Sequence, residues 1–153
     1  MQKIASFTVN HDTLEKGMYV SRIDGDVVTY DIRMKKPNGG EYLCMSAAHT
    51  LEHLFATYAR NSVFGDKVIY VGPMGCRTGF YLLLRISVAY ADAITLVQEA
   101  MAFIRDFEGE IPGNKKEECG NYLDHDLAGA KALGKEMHEV LKSWRVEDLT
   151  YKG

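Results

Sequence analysis

The sequence predicts an α+β fold: an antiparallel β-sheet with helices packed on one face, in a single domain spanning residues 1–153. Three observations lead there. Short segments rich in β-branched and aromatic residues come first, and longer segments with apolar residues at helical spacing lie between and after them. No repeat or low-complexity tract interrupts them. The length is that of one domain, which buries roughly 68–70% of its unfolded surface and needs no disulfides to hold it.

Taken in order, residues 27–33, "VVTYDIR", have strand composition. "KKPNGG" at 35–40 is a loop, with Pro, Asn and two glycines as breakers. Ser46 is placed to cap a following helix. On that helix His49, Glu52, His53 and Ala56 fall at i, i+3, i+4 and i+7, which is one face. Leu51, Leu54, Phe55 and Tyr58 repeat the spacing two residues later, about 200° around a helix of 3.6 residues per turn. The apolar stripe therefore points into the core and the His/Glu face points away. "KVIYV" at 67–71 and "GFYLLLRIS" at 79–87 are strands, separated by the turn "GPMGCRT" at 72–78. Residues 90–107 carry Ile94, Val97, Met101 and Ile104 at helical spacing. A charged loop at 109–120 ends in Cys119 and Gly120, and a last helix from about Asp124 aligns Leu127, Ala130, Leu133, Met137, Val140, Leu141 and Trp144.

Composition excludes several function classes. Apolar and charged fractions of 46% and 25% are those of an ordinary globular protein. A net charge of −3 leaves no footprint for nucleic acid or anionic membrane. The apolar runs, such as "FYLLL", are far too short to span a bilayer, and the N-terminal residues lack the apolar core of a signal peptide. A soluble, cytoplasmic protein is expected. Its three cysteines, Cys44, Cys76 and Cys119, are too few and odd in number for a disulfide framework. Cys44 reads as structural. Cys76, in a glycine-flanked turn between strands, is a candidate reactive thiol.

Two histidines at i, i+4 can hold one metal ion, and the glutamate on the same face favours that reading over two solvated histidines. A third ligand is needed. The HxxEH pattern also occurs in inverted-motif zinc proteases, which take a downstream glutamate; Glu117, Glu118 and Glu136 qualify by position, with Cys119 as the rival thiolate ligand. Spacing alone does not choose between them. A small, non-enzymatic metal-binding domain is the remaining alternative.

Three motifs in order, "HTLEHL" at 49–54, "PMGCRTGFY" at 73–81, and "CG" at 119–120 followed by "HDL" at 125–127, make the chain resemble the S-ribosylhomocysteine lyase (LuxS) family. "SF" at 6–7, His11 and "DIR" at 31–33 extend the resemblance over nearly the whole length. The resemblance implies one divalent metal per subunit, natively iron(II) and often zinc or cobalt on isolation, held by His49, His53 and Cys119. It implies Glu52 and Cys76 as the acid/base pair, with the Cys76 thiol acidified by a nearby cation. It implies cleavage of S-ribosylhomocysteine to homocysteine and 4,5-dihydroxy-2,3-pentanedione, the precursor of the autoinducer-2 quorum-sensing signal. It also implies a homodimer with active sites at the interface, Arg33 near the ribose, and Ser6 and His11 reaching in from the neighbouring subunit. Two positions depart from the family pattern: Tyr70 stands where aspartate is usual and Gly72 where serine is usual. A phenol supplies no carboxylate to an ammonium group, so contacts with the amino-acid end of the substrate are altered.

Overall fold

Four antiparallel strands form one sheet in the computed structural model, which describes residues 1–152. Gly153, the last residue of the expected span, lies outside the described residues. The strands are β1 (Gly17–Asp24), β2 (Val27–Arg33), β3 (Val68–Pro73) and β4 (Gly79–Arg85), in spatial order β1-β2-β4-β3. The helices are a single N-terminal turn α1 (Ala5–Thr8), then α2 (Met45–Asn61), α3 (Tyr90–Asp106) and α4 (Leu127–Leu141).

Strand alternation builds the core. Register pairs Val28 with Leu84, Tyr30 with Leu82 and Ile32 with Phe80, so these six side chains share one sheet face and all are buried. Against that face pack Leu51, Leu54 and Phe55 of α2, Ile94, Val97, Met101 and Ile104 of α3, and Ala130, Met137 and Leu141 of α4. Each large side chain so buried contributes about 1.5–3 kcal/mol. The periodicity that placed Leu51, Leu54 and Phe55 inward thereby turns His49, Glu52 and His53 outward, where all three stay partly exposed.

The structure departs from sequence expectation in four places. β1 was not anticipated, because only its first three residues are fully buried and a bulge between Val20 and Arg22 breaks the alternation. The available signal was "IDGD": Asp24 pairs with Val27 across a two-residue hairpin loop, with Gly25 at φ 59°. Ser46 is not the cap of α2. Cys44 holds that position with no side-chain cap bond, and Ser46 already lies within the first turn. Cys44 is exposed rather than part of the core, its sulfur 3.4 Å from the Ser46 hydroxyl. Finally, α4 starts at Leu127, where the Asp126 carboxylate accepts from the Gly129 N–H. Residues 121–126 are thus left non-helical and available to the site. Among the described residues no helix is long and apolar enough to cross a membrane.

Candidate active site

The outward face of α2 is fixed by backbone carbonyls of two distant loops. His49 Nδ1 lies 2.7 Å from the Asp124 carbonyl and His53 Nδ1 lies 2.8 Å from the Pro112 carbonyl. A carbonyl only accepts, so both Nδ1 atoms carry the proton and donate it. Both Nε2 atoms are then bare lone pairs, as metal-ligating imidazoles require. The approach of Pro112 to His53 depends on Gly113, at φ 75°, where an added Cβ would sit 3.0 Å from His53 Nδ1.

Cys119 completes the cluster. Its sulfur lies 3.4 Å from His49 Nε2 and 4.0 Å from His53 Nε2, and the two rings stand at 87° to each other. Tetrahedral bonds of about 2.05 Å to nitrogen and 2.3 Å to sulfur would place N and S roughly 3.6 Å apart. The donor set and its spacing fit one divalent cation. Among the described residues none of Glu117, Glu118 and Glu136 joins the His49, His53, Cys119 group: Glu136 is engaged by Lys16 and Lys35, and Glu118 accepts from the Lys115 N–H. The zinc-protease ligand set is therefore not formed.

A third histidine joins the group, from the segment just before α4. His125 offers a ligand atom within 4.8 Å of those of His49, His53 and Cys119. Thr50 orients it. The buried Thr50 hydroxyl donates to the Ser46 carbonyl, so its oxygen accepts from the Asp126 N–H and from His125 Nδ1–H, both at 2.9 Å. That tautomer leaves His125 Nε2 bare, and among the described residues it is buried without a hydrogen-bond partner. Burial, with His49 and His53 alongside, holds the His125 pKa below the ordinary histidine value. Ring geometry separates its role from that of the ligands. The His125 ring is stacked on His49, centroids 4.1 Å apart and planes only 20° from parallel. A ligated ion lies in the plane of its imidazole, and stacked rings stay roughly 3.5 Å apart. Two near-parallel stacked planes would not both suit one ion. His49, His53 and Cys119 have the donor spacing of a ligand set, and His125, stacked on His49, stands beside them in the same group.

The other candidate residues fall into neighbouring cavities. One, of about 230 Å³, is lined by Ser6, His11, Asp31, Arg33, Cys76 and Tyr151 among others. Another, of about 540 Å³, is lined by His49 and Glu52 and shares only the Met74–Gly75 turn with the first. The structure thus brings Ser6, His11, Arg33 and Cys76 together in one chain, and sets Glu52 with the metal-type cluster. Cys76 rides on the β3–β4 turn, which is tied to the segment after β2 by Met34 and Lys35 N–H bonds to the Thr78 carbonyl, 2.8 and 2.9 Å. Its sulfur is exposed, 3.1 Å from Thr78 Oγ1 and 4.0 Å from Arg33 Nη1. Thr78 Oγ1 accepts from Arg33 at 2.8 Å, which leaves its own proton to point at the sulfur.

A cavity of about 410 Å³ on the other side of Glu52 is lined by His53, Arg60, Tyr70 and Gly113 among others. The two departures noted in the sequence are one structural event there. Tyr70 folds over position 72, where a Cβ would meet its hydroxyl and ring, so a side chain there would push this half-exposed ring aside.

Comparison with known proteins gives the family. The family model described as S-Ribosylhomocysteinase (LuxS) matches residues 4–148. The chain belongs to the LuxS family. It is 49% identical over 156 residues to the S-ribosylhomocysteine lyase of Clostridium acetobutylicum, covering 99% of both chains. It is 49% identical to the protein of that name from Phocaeicola vulgatus, covering 99% of this chain and 98% of the other. With that of Porphyromonas gingivalis, strain ATCC 33277, identity is 48% over 157 residues. In this member of the LuxS family Tyr70 lines the cavity beside Glu52 and His53.

Proposed function

We propose that this chain is an S-ribosylhomocysteine lyase that uses one divalent cation per subunit. The observation that carries the reading is the convergence of two bare imidazole nitrogens on the Cys119 sulfur beside Glu52, in a chain so similar to proteins of that name over its full length.

His49, His53 and Cys119 would hold the cation, iron(II) in the cell, with zinc or cobalt as substitutes. When bound, it supplies a positive charge for the oxyanion that develops as the sugar carbonyl moves. Two neutral imidazoles and one thiolate leave that charge at about +1. The chain's own residues move protons. Glu52 takes a carbon-bound proton and returns it to the next carbon, so that the carbonyl passes from C1 through C2 to C3. Cys76, beside the Thr78 hydroxyl and the Arg33 guanidinium, exchanges protons from the other side of the sugar. With the carbonyl at C3, removal of the C4 proton expels the C5 sulfur as the homocysteine thiolate. The remaining enol tautomerises to 4,5-dihydroxy-2,3-pentanedione. No electron leaves or enters, so no redox cofactor is needed.

Cys76 and Glu52 must reach one sugar, yet they line different cavities of a single chain. This supports a homodimer whose interface completes each site, with Ser6, His11 and Arg33 as substrate contacts. A cytoplasmic location, and a role in homocysteine recycling and autoinducer-2 formation, belong to the same reading.

The test is direct. Metal-loaded protein is incubated with S-ribosylhomocysteine and free thiol is followed. The wild type should release homocysteine. Glu52→Gln and Cys76→Ala should each lose about 10²-fold or more in rate while retaining metal. An inactive, metal-replete wild type would reject the proposal.

A further inference from the structure

Cys76 is held by more than its own turn. Behind it, Arg33 donates through Nε and Nη2 to both oxygens of Asp31, at 3.1 and 2.7 Å, with Arg33 3% and Asp31 1% exposed. A buried pair of this kind holds its geometry only when its remaining hydrogen-bonding capacity is met. The remaining partner comes from the far end of the chain: the Tyr151 hydroxyl donates to Asp31 Oδ2 at 2.7 Å.

Tyr151 is itself anchored. Its ring stacks on Tyr19, centroids 5.0 Å apart. The Tyr19 hydroxyl donates to the Glu15 carbonyl, and the Tyr19 ring meets Trp144 edge-on. Trp144 Nε1–H donates to the Met18 carbonyl. Tyr151 also lines the cavity into which Cys76 opens. Burial, and then the Asp31 carboxylate, push the Tyr151 phenol far above its ordinary pKa, so it stays a donor throughout.

We propose that Tyr151 is a positioning residue for the Cys76 thiol: its hydroxyl locks Asp31, Asp31 orients Arg33, and Arg33 keeps its charge near the sulfur while its Nη1 fixes Thr78. Without the hydroxyl, Asp31 Oδ2 loses one of its two donors and turns toward the cavity or takes up water. The guanidinium follows, because two of its three ties to side-chain oxygen are to that carboxylate. The cation moves off the sulfur, which then reacts more slowly. This rests on reading Cys76 as an acid/base group of the lyase.

The test reads the thiol itself. Wild type and Tyr151→Phe are treated with iodoacetamide, and alkylation is resolved by peptide mass spectrometry, with exposed Cys44 as internal reference. Phenylalanine keeps the stack on Tyr19 and removes only the hydroxyl. Cys76 alkylation should slow by about threefold to tenfold, while Cys44 is unchanged. Lyase kcat should fall with KM within about twofold. A chain ending at Thr150 should reproduce both effects. An unchanged Cys76 rate in Tyr151→Phe overturns the proposal, and an effect seen only in the truncated chain does so too, since it would reduce Tyr151 to a cavity wall. If the wild type has no lyase activity the functional reading falls, and the alkylation rates still decide whether Tyr151 controls the thiol.

Discussion

Thr50→Val isolates the polar hub beneath the metal-type cluster. Thr50 is 0% exposed, and valine matches its shape but not its hydroxyl. The substitution orphans two donors, the Asp126 N–H and His125 Nδ1–H, and also frees the Ser46 carbonyl. Each buried donor left unmet costs about 1–3 kcal/mol. After partial relaxation the loss should be about 3 kcal/mol, and for a chain of this size roughly 6–12 °C in melting temperature. The site should feel it too. The Asp126 N–H bond pins the 121–126 segment, whose Asp124 carbonyl holds His49 in its ligating tautomer. Loss of such an outer partner should weaken metal binding about tenfold. Thermal unfolding of the metal-free protein measures the first effect, and competition with a chromophoric chelator measures the second. Thr50→Ser is the control, since it keeps the hydroxyl and loses only a methyl, about 0.8 kcal/mol. If the valine variant melts within about 2 °C of the serine variant and binds metal as tightly, the hub does not orient the site and the reasoning fails.

Three further outcomes are expected. Cys119→Ser and His53→Ala should lower affinity for zinc or cobalt by about 10³-fold or more, whereas His125→Phe, which keeps the stack on His49, should lower it by no more than about tenfold; equal losses in a chelator competition would make His125 a ligand and refute the ring-plane argument. Gly72→Ser should push the half-exposed Tyr70 ring aside at a cost of about 1 kcal/mol, and pairing it with Tyr70→Asp should restore most of that loss in urea unfolding, whereas additive effects would mean that the two positions are independent. Gly134→Ala gains about 1 kcal/mol of helix propensity, but its Cβ would sit 2.8 Å from Ile104 Cγ2 and 3.0 Å from the Arg105 nitrogen. Net destabilisation by about 1 kcal/mol or more is expected, and a more stable variant would show that α3 and α4 can part cheaply.

The sequence by itself determined what depends on local periodicity and residue chemistry. The 3.6-residue spacing of α2 set which side chains face the core and which face out, because helix geometry relates them with no help from the rest of the chain. Residue type marked His49 and His53 as a candidate ligand pair and Cys76 as a candidate reactive thiol, and the resemblance to the LuxS family implied Cys119 as third ligand and Glu52 with Cys76 as the acid/base pair. Tertiary structure decided whatever required segments far apart in the chain to meet. The choice of Cys119 over a glutamate turned on where the 115–119 turn lands, 66 to 70 residues along the chain from the histidines. His125 enters the site only because Thr50, on another element, receives its Nδ1–H. Tyr151 reaches Asp31 across 120 residues of chain. The separation of Cys76 from Glu52 into different cavities appears only when the β3–β4 turn is seen lying between them. Spacing along a chain carries no information about such contacts, since packing of the whole core is what closes the distance between those segments.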